Sequence, residues 1–214
     1  VRTPPPLPLW LAFVNTEARA GRGDALASFD AYVRWLQASG VLGDDRAAML
    51  RRRAPLQPAG ATAALLEARR MRAALALLTD HTLPPVRGRD VALAEVNRLL
   101  GRTAGMRHIA ATNEGRFQWE FVPTGDAFAG LLLPVVESAT DSLVGGLLPR
   151  VRRCAAPDCR VAFVDGSKNG SRRWCTMRGC GNRAKQARAR RSTGTTTNAG
   201  GRHRSPPPDP LSSP

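Results

Sequence analysis

The sequence predicts an α+β chain that is mainly α: a helical N-terminal domain with one small β-hairpin, then a short basic module carrying cysteines. Three observations lead there. Apolar residues recur at helical spacing through most of 9–148, whereas one stretch, 109–122, changes to strict alternation. All four cysteines of the 214-residue chain fall between 154 and 180. About 43% of residues are hydrophobic, enough for an ordinary core.

After the lead-in VRTPPPLP, whose consecutive prolines deny a helix its donors, Leu9, Trp10, Phe13 and Val14 open a helix reaching about Ala20. Asp24 is the expected N-cap of a second helix, with Leu26, Phe29, Val33 and Leu36 as its stripe and Gly40 as its end. Residues 44–53 and 59–81 read as helices, the latter with Arg69, Arg70 and Arg72 on its wet side. PPVRG (84–88) breaks the pattern, and 89–101 resumes it through Val91, Leu93, Val96 and Leu100. In IAATNEGRFQWEFV (109–122), alternating Phe117, Trp119 and Phe121 and the turn Asn113-Glu114-Gly115 predict the hairpin. Residues 126–148 return to helix, bent near Pro134. Pro149 and the run RVRRC mark the boundary. The expected organisation is therefore a helical domain over 1–149, a cysteine module over 150–191, and a disordered low-complexity tail over 192–214.

Charge is distributed unevenly. Residues 1–149 hold 17 Lys and Arg against 14 Asp and Glu, whereas residues 150–204 hold 15 against only Asp158 and Asp165. Such asymmetry points to a polyanionic partner, nucleic acid ahead of an anionic membrane surface. The longest apolar run, AFAGLLLPVV (127–136), is about half a spanning helix and contains Pro134, so no membrane segment is expected. LPLWLAFV (7–14) ahead of Ala18-Arg19-Ala20 imitates a signal peptide, but it is short, contains Pro8 and follows a single basic residue. A cytoplasmic location is the expectation. His81, His108 and His203 are scattered, and 1–149 contains no phosphate loop, metal-binding His motif or nucleophile–base pair. The chain is not expected to be an enzyme.

The cysteines are spaced Cys154-x4-Cys159-x15-Cys175-x4-Cys180. Two short-spaced pairs, separated by enough chain for a hairpin, suit tetrahedral Zn²⁺. Paired disulfides would need an oxidising compartment, and a redox thiol pair would want a shorter spacing. VAFVD (161–165) and RRW (172–174) are the expected strands, with residues 166–171 turning between them. Cys180 then stands at the mouth of a final helix, where backbone N–H groups favour a thiolate. The result is a treble-clef-like zinc finger. Four protein ligands leave no position for water, so one structural Zn²⁺ is expected, its charge-rich surroundings offset by Arg152, Arg153, Arg178 and Arg183. Val161, Phe163 and Trp174 are the only evident core, which makes folding of the module metal-dependent.

Along the final helix, Arg183, Arg190 and Arg191 share an arc, Lys185 and Arg188 fill much of the remainder, and no apolar stripe exists to bury. Such a helix suits a polyanion. The candidate nucleic-acid contacts are Arg172, Arg173, Asn182, Arg183, Lys185, Arg188, Arg190 and Arg191. Asn182 and Arg183 have a second reading, bracing the zinc loop. Asn15, Thr16 and Asn97 either line a ligand pocket or satisfy backbone groups, the second reading being favoured.

The stretch 152–191 resembles the CGNR zinc finger, whose motif stands here as Cys180-Gly181-Asn182-Arg183. Its match covers all four cysteines, Phe163, Asp165, the Arg172-Arg173-Trp174 lead into Cys175, and the basic helix. Upstream, FVNT (13–16), Leu26, Trp35-Leu36 and VNRLL (96–100) resemble the N-terminal domain of bacterial stress-induced transcription regulators. This resemblance implies a zinc-bound, DNA-binding module on a mainly helical regulatory domain. The expected partner is DNA, with a homodimer or a small-molecule effector acting through the N-terminal domain. The alternatives are an RNA- or ribosome-associated zinc module, and an adaptor binding an acidic protein surface.

Overall fold

A six-residue helix has no stability of its own in water, yet one lies at the centre of this fold. In the computed structural model, which describes residues 7–17, 23–79, 85–102, 105–111 and 117–194, α1 spans Leu9–Val14. Trp10, Leu11, Phe13 and Val14 are all buried, and α1 packs against α4 (Pro58–Leu77) and α6 (Leu133–Val144). The Trp10 indole N–H donates to Ser142 Oγ at 2.9 Å, so the largest core side chain is also satisfied. The chain forms two compact units, Val1–Cys175 and Thr176–Pro214. The Asn113-Glu114-Gly115 turn, His81, His203 and the tail beyond 194 lie outside the described residues, as do the side chains of His108 and Arg191.

The remaining helices of the first unit are α2 (Phe29–Ala38), α3 (Asp44–Arg53) and α5 (Pro85–Arg102). Ser28, not Asp24, caps α2, its Oγ accepting from Ala31 N at 3.1 Å. Asp24 serves a turn earlier, where Oδ1 accepts from Leu26 N at 2.8 Å, and it pairs with Arg72. The wet side expected of α4 is correspondingly narrower. The Arg69 guanidinium caps the carbonyls of Leu26 and Ala27, and Arg72 Nη2 reaches Asp24 Oδ2 at 2.9 Å. These two arginines fasten the segment before α2 onto α4.

The later helix begins inside PPVRG and not after it: Pro84 lies outside the described residues, and Pro85 is the first residue of α5, where a missing N–H costs nothing. Its buried face is Ala92, Val96 and Leu99, whereas Val91, Leu93 and Leu100 are exposed. Pro134 likewise sits in the first turn of α6 and causes no bend; residues 124–132 before it are turns, with Gly130 at φ +71°. The hairpin is longer than the alternation suggests. Strands β1 (Gly105–Ala111) and β2 (Phe117–Pro123) pair antiparallel, Gly105 opposite Pro123 and Ile109 opposite Trp119.

Arg72 lies against Asp24 with only 13% of its side chain exposed, so Arg72→Ala is expected to cost about 1–3 kcal/mol in urea unfolding at pH 7. The hydrogen bond from Arg72 holds the Asp24 carboxyl below its ordinary 3.8. Its stabilising contribution is therefore complete above that value and fades as pH falls through the depressed pKa. Comparing unfolding at pH 7 and pH 3 should show a smaller loss in Arg72→Ala than in the parent; equal losses would remove the pair from the account.

Candidate metal centre and nucleic-acid interface

Two three-residue strands, β3 (Val151–Arg153) and β4 (Ala162–Val164), pair antiparallel with Val151 opposite Val164 and Arg153 opposite Ala162. They replace the expected pairing of 161–165 with 172–174. The reason lies in Asp165, a carboxylate only 1% exposed. Its Oδ1 accepts from Ser167 N at 2.9 Å and Ser167 Oγ at 2.6 Å, and its Oδ2 from Arg172 N at 2.9 Å. One side chain thereby satisfies the turn that a ladder would have satisfied, and Gly170 at φ +60° completes the reversal. Burial pushes this carboxyl up, but the bonds from Ser167 and Arg172 and the charge of Arg152 outweigh it, leaving the group below its ordinary value.

This geometry places the ligands. Cys154 follows β3 directly, and its N–H continues the hairpin to Val161 O at 2.9 Å. Ala155 N donates to Arg173 O at 2.9 Å, holding the approach to Cys175, and Cys175 N points at Cys154 Sγ at 3.5 Å. Cys180 stands in a π-helical turn, Met177–Gly181, capped by Thr176, whose carbonyl accepts from Gly181 N at 3.0 Å. Gly179 is required there: a Cβ would lie 2.9 Å from Thr176 Oγ1. Helix α7, Asn182–Gly194, follows without a break.

The four Sγ atoms lie within 4.8 Å of one another, and those of Cys159 and Cys175 are 3.7 Å apart. Zn–S bonds of about 2.3 Å in a tetrahedron put sulfurs about 3.8 Å apart, whereas a disulfide needs about 2.05 Å. None of the four is in a disulfide. The set fits one structural Zn²⁺, with Cys154 and Cys180 buried and the other two partly so. Arg183 Nη2 sits 3.2 Å from Cys180 Sγ and the Cys175 N–H faces Cys154 Sγ, so a cation and a backbone donor meet the sulfurs, as suits thiolates.

Of the four arginines expected to offset the sulfur charge, only Arg183 touches a ligating sulfur among the described residues. Arg153 turns the other way, its Nε donating to Thr79 Oγ1 at 2.8 Å and its Nη2 to Ala76 O at 2.9 Å at the end of α4. Arg172 lies over the Phe163 ring, 4.6 Å from its centroid, and donates to the carbonyls of Trp174 and Cys175. Asn182 Nδ2 donates to Arg178 O at 3.4 Å, a contact of the bracing kind. Arg173 lies exposed over the Trp174 ring, and Lys185, Arg188 and Arg190 are exposed on α7.

Asn15 follows the favoured reading, since it satisfies backbone groups, here those of a strand remote along the chain. Its carboxamide pairs with one backbone residue of β4: Nδ2 donates to Ala162 O and Oδ1 accepts from Ala162 N, both at 2.8 Å. The side chain thus acts as the next strand of a ladder. Thr16 Oγ1 donates to Phe13 O at 2.6 Å, a backbone group, and Asn97 is exposed. Val151 and Ala162 are fully buried in the same core as Trp10 and Leu11. The sequence singled out Asn15 but carried no signal for its partner Ala162 or for the Arg153–Thr79 contact, because each partner is remote along the chain.

The fold and the site define a zinc-finger protein in which a helical domain precedes a four-cysteine module. The chain belongs to the ABATE family, described as "Putative stress-induced transcription regulator", which it matches over residues 7–146. Residues 150–192 match the CGNR zinc finger, as the resemblance implied. Comparison with curated proteins gives no match. No helix among the described residues is long and apolar enough to cross a membrane.

Because β3–β4 shares a core with the helices, chelating the metal should lower the melting temperature of the helical domain itself; an unchanged helical melt would refute this coupling. Asn15→Ala leaves the Ala162 N–H and C=O without their partner and should cost about 2–4 kcal/mol in chemical unfolding, with faster zinc loss to a chelator.

Proposed function

We propose that this protein is a bacterial, cytoplasmic, DNA-binding transcription regulator without enzymatic activity. Its zinc finger is the nucleic-acid module, and its helical domain receives a small-molecule signal or mediates self-association. One observation carries the reading: from Thr176 to Gly194 there are six Lys and Arg and no acidic residue, on a helix without an apolar face. Arg183, Asn182 and Arg172 are engaged in bracing the metal loop, so the contact set is weighted to Arg173, Lys185, Arg188 and Arg190, with Arg191 and the exposed Arg178 beside them. Guanidinium forks suit phosphates and guanine edges.

Duplex binding should weaken steeply with salt, log K falling by about 0.9 per phosphate contact for each tenfold rise in salt. Arg188→Glu with Arg190→Glu should reduce affinity at least about tenfold across unrelated sequences while zinc content stays stoichiometric. Fluorescence anisotropy checks both. Unchanged affinity in the double variant, or a preference for structured RNA at equal salt, would overturn the DNA reading.

A further inference from the structure

The first unit holds a half-open cavity of about 390 Å³ beside α4 and α5, with Arg70 and Arg102 exposed at its rim, that the zinc finger and its basic helix do not use. Its size falls within the range of small-molecule sites. One end is apolar. Ala63 and Ala64 present small side chains there, and Phe128 closes the wall. The Phe128 ring is held on several sides. Phe29 packs edge-on at 5.3 Å, Asp126 Oδ1 accepts from Phe128 N at 3.0 Å, and Gly60 leaves room where a Cβ would come within 2.8 Å of the ring.

The other end is cationic. Glu67 Oε1 accepts from Arg98 Nη2 at 3.1 Å and Arg102 Nη2 at 2.6 Å, and Glu95 takes Arg98 Nε at 3.0 Å. These bonds leave Arg98 Nη1 and Arg102 Nε and Nη1 without a protein acceptor among the described residues. Arg70, which also lines the cavity, has no hydrogen-bond or ion-pair partner among them. Three guanidinium groups thus face two carboxylates. Asp126 also lines the cavity, but at the Gly60 end, about 10 Å along α4 from Glu67, so the excess of positive charge is local to the end that holds Arg70, Arg98 and Arg102.

We propose that this cavity binds a small organic acid, its carboxylate at Arg70, Arg98 and Arg102 and its apolar body against Ala63, Ala64 and Phe128. A planar monoanion matches both the guanidinium forks and the local excess of positive charge at that end. A dianion such as inorganic phosphate would bring a second negative charge close to Glu67 and leave the apolar wall unused. The site gives chemical content to the signal-receiving part of the proposed function and rests on that reading, but it is tested without nucleic acid.

The experiment is isothermal titration of the full zinc-loaded chain with 2-naphthoate, 3-phenylpropionate and octanoate. The neutral 2-naphthamide and inorganic phosphate serve as comparators. At least one carboxylate should bind saturably at one per chain, at least about tenfold tighter than the amide or phosphate. Arg70→Ala should weaken it by about tenfold with an unchanged melting temperature. Gly60→Val, which displaces Phe128, should weaken it as well. Arg188→Glu with Arg190→Glu should leave it intact, so a failure of the DNA reading and a failure of this one are separable. No binding of any carboxylate up to about 5 mM would overturn the proposal, as would equal binding of the amide or indifference to Arg70→Ala.

Discussion

Four sulfurs must meet at one ion, and the segment that carries them has little else to hold it. Between Cys154 and Cys180 only Val161, Ala162 and Phe163 are buried apolar side chains, and Trp174 is half-buried. So few groups do not offset the entropy of ordering the segment, so the metal does the work of a core. Everything nearby is arranged around that requirement. Asp165 ties the turn, Arg172 ties the approach to Cys175, and the π-helical turn places Cys180 where α7 begins.

The metal is not the only anchor. β3 and β4 send Val151 and Ala162 into the core of the helical domain, Asn15 completes the ladder of β4, and Arg153 caps the end of α4. The hairpin is thus shared: its inner residues belong to the helical core, and its ends carry the first two ligands. Such sharing couples the two sources of stability, since a core residue and a metal ligand three positions apart, as Val151 and Cys154 or Ala162 and Cys159 are, cannot move independently.

Arginine is put to several uses in this chain. Arg69, Arg72, Arg153, Arg172 and Arg183 each end on a named acceptor or sulfur inside the fold, where the five donors of a guanidinium tie several groups at once. A net charge of +15 therefore overstates the basic surface that a polyanion could meet. The cations exposed on α7 and at Arg173 are a smaller set, and the cavity beside α4 and α5 draws on a third group of arginines again.

The sequence by itself determined the helical class, the hairpin, the four ligands and the family, because each depends on spacing between near neighbours. Helical period, strand alternation and x4 cysteine pairs are all local patterns. It also suggested a bend at Pro134 and a break at PPVRG; prolines mark boundaries, but only the fold decided that both would be helix starts. Tertiary structure alone decided that Ser28 caps α2, that β3 pairs with β4, and that Asn15, Arg153 and Arg72 find Ala162, Thr79 and Asp24. The physical reason is that a polar side chain is satisfied by whichever buried donor or acceptor the packing brings to it, and chain distance carries no record of that choice.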